Sequence, residues 1–284
     1  MIKIVSWNIA KRQEPWRWLV RMARDGDVDL ALLQEAGSPP GDLAHLVEYE
    51  DQVFWNRNLY DRWPLIVKLS DRITVAPYRQ VPPISELGED AIGVSGVGTI
   101  AAAKVIPRDN EEQAFVAISM YAGWLGVHPS TRSSWIYSDA SAHRILSDLS
   151  AFVGHRDPGR HRILAAGDLN MIFGATGWQL SLPERESTVW DRVRALGLEF
   201  LGPQAPHGRS SESPPADVPP DTQNVPTFHS RGGPKDAANQ LDYVFASRGF
   251  HDRVSVRAMN EVEEWGPSDH CRLMIRVRTQ ADCD

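Results

Sequence analysis

The chain holds only two cysteines in 284 residues, Cys271 and Cys283, so it has neither a disulfide framework nor a thiolate spacing for a structural metal. A reducing compartment suits that scarcity, and the expectation is a cytoplasmic protein. Long hydrophobic runs are missing too, since no stretch approaches the ~20 apolar residues of a membrane span. The opening "MIKIVSWNIA" is too short in its apolar part for a secretion signal and is not followed by a small-residue cleavage site. Excess positive charge is likewise absent. The formal net charge of −7 argues against a broad, non-specific grip on nucleic acid, because that grip comes from Lys and Arg neutralising phosphates. Arg57, Arg62, Lys68 and Arg72 form a loose basic stretch that reads as a solvated face.

What is present is a globular composition, 42% hydrophobic and 24% charged, with length enough for a substantial core. "IKIVSW" alternates as a strand with one buried face would. Pro15 opens a helix on which Trp16, Leu19, Val20 and Ala23 share a face while Arg17, Arg21 and Arg24 point away. "VDLALLQ", residues 28 to 34, follows as a buried strand. Further on, "LIVKL" and "RITVA" flank a Ser70-Asp71 turn and predict a hairpin, as do "GTIAAAKVI" and "QAFVAISMYA" around the loop 107 to 112. A second helix is predicted from Asp139 to Val153, stopped by Gly154. The strands "RILAAGD", "QLDYVFAS", "RVSVRAM" and "RLMIRV" complete an αβ mixture without internal repeat. Residues 203 to 224 carry six prolines among small polar residues and read as a mobile loop inside one domain spanning 1–284.

Polar residues interrupt or end these apolar strands: Asn8, Glu35, Tyr121, Asp168, Asn170, Asp242, and the pair Asp269-His270. Almost all stand at the carboxyl ends of their strands, the rim where layered sheet proteins gather ligands. Asn8 and Glu35 are the firmest pair, because a strand, helix, strand crossover returns the second strand parallel to the first. Carboxylate and amide oxygens are hard ligands suited to Mg²⁺ or Mn²⁺, and the lone His without thiolates speaks against a structural zinc site. Such a set suits phosphoryl chemistry, where water must be placed in line and charge on phosphate oxygens stabilised.

"SWNIA", "LLQEA", "MYAGW", "AAGDLN", "QLDYVFAS" and "GPSDH" stand in the order and approximate spacing of the endonuclease/exonuclease/phosphatase superfamily, and the chain resembles it from residue 2 to 277. The resemblance implies a four-layer α/β sandwich: two mixed, largely antiparallel sheets packed together and flanked by helices. It further implies that Glu35 ligates Mg²⁺, with Asn8 and Asp269 completing the metal site. Asp168 would deprotonate the attacking water, and Asn170 would donate to a non-bridging oxygen. His270 would contact the phosphate with Asp242 orienting it, and Tyr121 would assist the transition state or leaving group. Arg272 departs from the pattern, standing where the family commonly has proline. Trp124, His128, Arg132 and Trp135 follow Tyr121, and Trp124 and Arg132 are candidate base contacts.

The resulting expectation is a Mg²⁺-dependent phosphodiester hydrolase acting on nucleic acid, endonuclease or exonuclease. A phosphodiesterase or phosphatase on a small nucleotide, sugar phosphate or lipid head group is the alternative. So is a non-catalytic binding module of the same fold. The sequence shows no membrane anchor and identifies no protein partner.

Overall fold

The computed structural model describes residues 1–49, 63–82, 86–95, 100–177 and 182–279. Arg57, Arg62 and Cys283 lie outside the described residues. In chain order the sheet strands are β1 (Ile2–Asn8), β2 (Leu30–Ala36), β3 (Glu48–Tyr49), β4 (Trp63–Lys68), β5 (Ile73–Pro77), β6 (Ile100–Pro107), β7 (Phe115–Tyr121), β8 (Ile163–Asp168), β9 (Leu198–Gly202), β10 (Asp242–Ser247), β11 (Val254–Met259) and β12 (Arg272–Val277). They form two six-stranded sheets, one running β11, β12, β1, β2, β4, β3 and the other β9, β10, β8, β7, β6, β5.

Each of these two sheets has one parallel pair at its centre, β1 with β2 and β7 with β8, and every other pairing within them is antiparallel. A helical crossover joins each parallel pair, as chain geometry requires. Helix α1 (Glu14–Arg24) makes the first, with Pro15 in its first turn, Glu14 near its N-terminus and Arg21 and Arg24 in its last turn. Helix α2 (Asp139–Leu149) makes the second and passes into a single 3₁₀ turn over Ser150–Phe152, short of the predicted end at Val153. A third helix, α3 (Pro183–Ala195), was not predicted.

The period-two alternation of the strands sorts their side chains into three cores. Ile4, Leu32, Ala117, Leu164 and Val244 fill the space between the sheets. Val5, Trp7, Ala31 and Leu33 face α1, while Ile118, Met120, Ala165 and Phe245 face α2 and α3. The result is the expected four layers of helix, sheet, sheet and helix.

One predicted hairpin is corrected. β4 and β5 are consecutive in sequence but lie in different sheets, β4 pairing with β2 and β3 and β5 with β6. Arg72, in the connection, donates to both oxygens of buried Asp29 at 2.9 and 2.7 Å, which ties the crossover to the first sheet. The β6–β7 hairpin forms as predicted. Segment 203–224 closes as a loop: Ala205 N donates to Gln223 O at 2.9 Å, and Val218 packs with Ile172 and Leu241. Among the described residues no helix is long and apolar enough to cross a membrane.

Candidate active site

Between the sheets the inward residues of each strand grade from apolar to polar toward one end. On β1 the series is Ile2, Ile4, Ser6, Asn8. On β7 it is Phe115, Ala117, Ser119, Tyr121, and on β8 it is Leu164, Ala166, Asp168. A polar layer precedes the rim, where Gln34 Nε2 donates to Ser119 Oγ at 3.0 Å and Ser119 Oγ donates to Leu33 O at 2.7 Å, linking the two sheets. Beyond that layer lie the predicted site residues.

Asn8 Nδ2 donates to Asp168 Oδ2 at 2.9 Å and approaches Glu35 Oε1 at 3.4 Å. Tyr121 OH donates to the same Glu35 oxygen at 3.0 Å. Asn170 N donates to Asp168 Oδ1 at 2.8 Å. His270 Nδ1 donates to Asp242 Oδ2 at 2.7 Å, and its Nε2 lies 3.8 Å from Asp168 Oδ2. Asn8, Tyr121, Asp168, Asn170, Asp242 and His270 are all buried, while Glu35 and Asp269 are half-buried.

Local backbone geometry makes this convergence possible. Strict alternation would send Glu35 to the outer face of its sheet, opposite Gln34. Instead the β2–β4 pairing shifts between Leu33 and Ala36, and Glu35 takes a φ of 48°. That left-handed conformation costs roughly 1–2 kcal/mol for a residue with a Cβ, and it turns the carboxylate toward Tyr121 of the other sheet. Asn170 is also left-handed, at φ 51°, where an Asn is better tolerated. Gly167 precedes Asp168 at φ 152°, and a Cβ there would lie 2.0 Å from Met120 O. No other residue fits between these two parallel strands without moving them.

Asp242 and His270 reach the rim differently from the expectation, because Asp242 is the first residue of β10 and His270 precedes β12. Both strands run antiparallel to their neighbours in the parallel pairs, so their starts meet the ends of β8 and β1. Several unpredicted residues hold them there. Thr227 Oγ1 accepts from Asp242 N at 3.1 Å, Trp7 Nε1 donates to His270 O at 2.9 Å, and Ser268 Oγ donates to Asn8 O at 2.7 Å. The Phe228 ring lies 4.9 Å from the His270 ring. Ser268 sits within the "GPSDH" motif, whereas Thr227 carries no sequence signal at all.

The electrostatics are dominated by burial. Removal from water pushes the Asp168 carboxyl up to about 7, with His270 opposing the rise and Asp242 adding to it. Burial works against charge on His270 too, but Asp242 and Asp168 outweigh it and push the imidazole up to about 10. Asp242 Oδ1 is buried and has no hydrogen-bond partner among the described residues.

Three carboxylates, Asp242, Asp168 and Asp269, act on the His270 imidazole, and Glu35 stands beside Asn8 and Tyr121. The donors are hard oxygens, which fits a divalent cation such as Mg²⁺. Among the described residues no three His, Cys, Asp or Glu side chains form a cage for a metal. Asn8 Oδ1 accepts from Ala10 N at 3.0 Å, so its amide nitrogen is the end that faces Glu35 and Asp168. Asn170 Nδ2 donates to Ala122 O at 2.9 Å and Ser138 Oγ to Asn170 O at 2.7 Å, so this residue clamps both ends of the excursion 122–138. That excursion exposes Trp124 (46%) and Ile136 (53%) and carries Arg132, exposed and left-handed at φ 55°.

Residues 5–270 match the Endonuclease/Exonuclease/phosphatase family, and the chain belongs to it. Among curated proteins none matches this chain. Similar solved structures include the endonuclease domain of TRAS1, a telomere-specific non-LTR retrotransposon, at 16% identity and a TM-score of 0.62 over 99% of this chain and 100% of that one. Another is the AP endonuclease LMAP from Leishmania major, also at 16% identity and a TM-score of 0.62, over 98% and 88% of the two chains. A third is the 3' phosphatase NExo from Neisseria bound to product DNA hairpin, at 15% identity and a TM-score of 0.57 over 98% and 100%. At these identities the likeness concerns the fold.

Proposed function

We propose that the protein is a divalent-metal-dependent phosphodiester hydrolase, a nuclease that directs water onto the phosphorus in line with the leaving oxygen. The observation that carries this reading is the meeting of Asn8, Asp168 and His270 at one point, with Asn8 Nδ2 2.9 Å and His270 Nε2 3.8 Å from Asp168 Oδ2. Two donors and one acceptor there face the same space from different sheets. Asp168, poised near neutrality, takes the proton from water. His270, held charged by Asp242, donates from Nε2 to a phosphate oxygen. Asn170 uses one amide hydrogen on Ala122 O, and the other is the one assigned to a non-bridging oxygen. Tyr121 donates to Glu35 and would assist the transition state or leaving group. Glu35 and Asp269 would hold Mg²⁺ or Mn²⁺, with Asn8 orienting Glu35 through its amide nitrogen, and the cation when bound would supply positive charge to polarise the phosphate and acidify water.

Nucleic acid is the proposed substrate. The names of the similar solved structures, which concern two endonucleases and a 3' phosphatase bound to product DNA hairpin, support it. So does the exposed Trp124, three residues after Tyr121, with Arg132 on the same excursion, since an exposed aromatic and an Arg suit an unstacked base. The net charge of −7 favours a second reading, a small or single-stranded phosphodiester rather than long duplex. A metal-dependent cleavage panel of supercoiled DNA, single-stranded DNA, RNA, a small phosphodiester and a phosphomonoester decides between them, with EDTA and Glu35→Ala as controls. Polymer cleavage abolished by both controls supports a nuclease; turnover of small esters alone removes that reading. Silence across the whole panel removes the hydrolase reading in favour of a binding module.

A further inference from the structure

The outer face of the first sheet is covered by α1 over β1 and β2 but not over β11 and β12. There a cavity of about 520 Å³ opens, lined by none of the site residues above. Strand register dictates its chemistry. Met259 pairs with Arg272, Arg257 with Met274, and Ser255 with Arg276, which in turn pairs with Lys3 of β1. Leu273, Ile275 and Val277 point into the core between the sheets, so Arg272, Met274 and Arg276 point outward. Met274 is therefore surrounded by three arginines, with Met22 of α1 forming a wall.

Two of these cations lack a carboxylate. Arg257 is bound to Glu264 at 2.8 and 2.9 Å, and Lys3 Nζ lies 3.6 Å from Asp27. Arg272 is only 7% exposed, yet it rests over the Trp18 and Trp7 rings and donates to Glu264 O and Met22 Sδ rather than to an acid. Its Nε is buried without a hydrogen-bond partner. Arg276 is exposed and makes no ion pair among the described residues. Two indole faces, a backbone carbonyl and the nearby Glu264 carboxylate offset the burial of Arg272, so the exposed Arg276 is the cation left open to an anion in the cavity. Against the chain's net charge of −7, this face carries an excess of two positive charges.

We propose that the cavity is a binding site for a nucleoside monophosphate, with the phosphate drawn to the arginines around Met274 and the base against the methionines. A phosphomonoester carries about two negative charges at neutral pH, which matches the excess. Thioethers make favourable contacts with aromatic rings, and the volume suits a small ligand. The site is separate from the proposed catalytic centre and does not depend on that reading.

Methyl-methionine NMR tests it, because Met22, Met259 and Met274 line the cavity whereas Met171 follows Asn170 at the catalytic rim. Deoxyadenosine monophosphate is titrated into the wild-type chain and into Arg276→Glu, an exposed change that leaves the core intact. The expected result is a saturable shift of Met274 and its two neighbours, weakened about tenfold or more in Arg276→Glu and absent with deoxyadenosine. Inorganic phosphate should bind more weakly than the nucleotide. A shift confined to Met171, an equal response to deoxyadenosine or to inorganic phosphate, or an unchanged titration in Arg276→Glu overturns the proposal.

Discussion

Asn8 and Asp168, the last inward residues of β1 and β8, are hydrogen-bonded across the gap between the two sheets at 2.9 Å. Their strands belong to different sheets and neither is the other's sequence neighbour, so the bond exists only because both inward series end at the same height. Asp168 thereby sits buried between an amide and an imidazole. This is the place to probe first.

Asp168→Asn keeps the shape and removes the base. The rate of phosphodiester cleavage should fall about 10²- to 10⁴-fold in single-turnover assays. Thermal stability at pH 8 should hold or rise, because burial disfavours the ionised carboxylate that the change removes. Activity within about tenfold of the parent would exclude Asp168 as the base.

The imidazole of His270 gives a pH signature in metal-free protein. Its ordinary value of 6.5 is raised to about 10, so the native state holds a proton that the unfolded chain releases. Its stabilising effect is full below pH 6.5 and is lost as pH rises toward 10. In Asp242→Asn the largest source of the rise is gone and burial prevails. The His270 resonances in EDTA should then titrate far below those of the parent, and the melting difference between the two proteins should shrink from pH 6 to pH 10. Superimposable His270 titrations would show that Asp242 does not hold the charge.

Gly167→Ala introduces a Cβ 2.0 Å from Met120 O at a φ of 152°. A loss of about 3 kcal/mol or more is expected, read as a lower urea midpoint with an unchanged slope. A midpoint equal to the parent's would mean that β7 and β8 separate easily, contrary to the packing described.

Trp124→Ala bears on substrate choice rather than chemistry. KM for single-stranded nucleic acid should rise roughly tenfold, the scale of one lost base stack, with kcat on a small phosphodiester unchanged. If both substrates suffer alike, Trp124 supports the site rather than reading the substrate.

Much of this was legible because the pattern of apolar residues is local. Trp16, Leu19 and Val20 mark α1 without help from the rest of the chain, and the polar residue ending each apolar strand marks the rim. The Leu65–Leu69 and Arg72–Ala76 runs show the limit of that reasoning. Their alternation and the Ser70-Asp71 turn fit a hairpin as well as a crossover, and only the partners waiting on β2 and β6 decide it. Helix α3 escaped notice because Val189 and Val193 are its only fully buried residues, too weak a stripe to stand out. The reach of Glu35 to Tyr121 depends on one left-handed φ, which no residue type in "LLQEA" announces.

The division of the rim between two sheets also makes the site a property of the docked pair and of neither sheet alone. Asn8 and Glu35 belong to the first sheet, Tyr121, Asp168 and Asp242 to the second, and His270 arrives only with β12, which inserts beside β1. Neither sheet carries the whole set, so the convergence exists only where the two are docked. A form in which the sheets have not docked lacks both the Asn8–Asp168 bond and the 3.8 Å approach of His270 to Asp168.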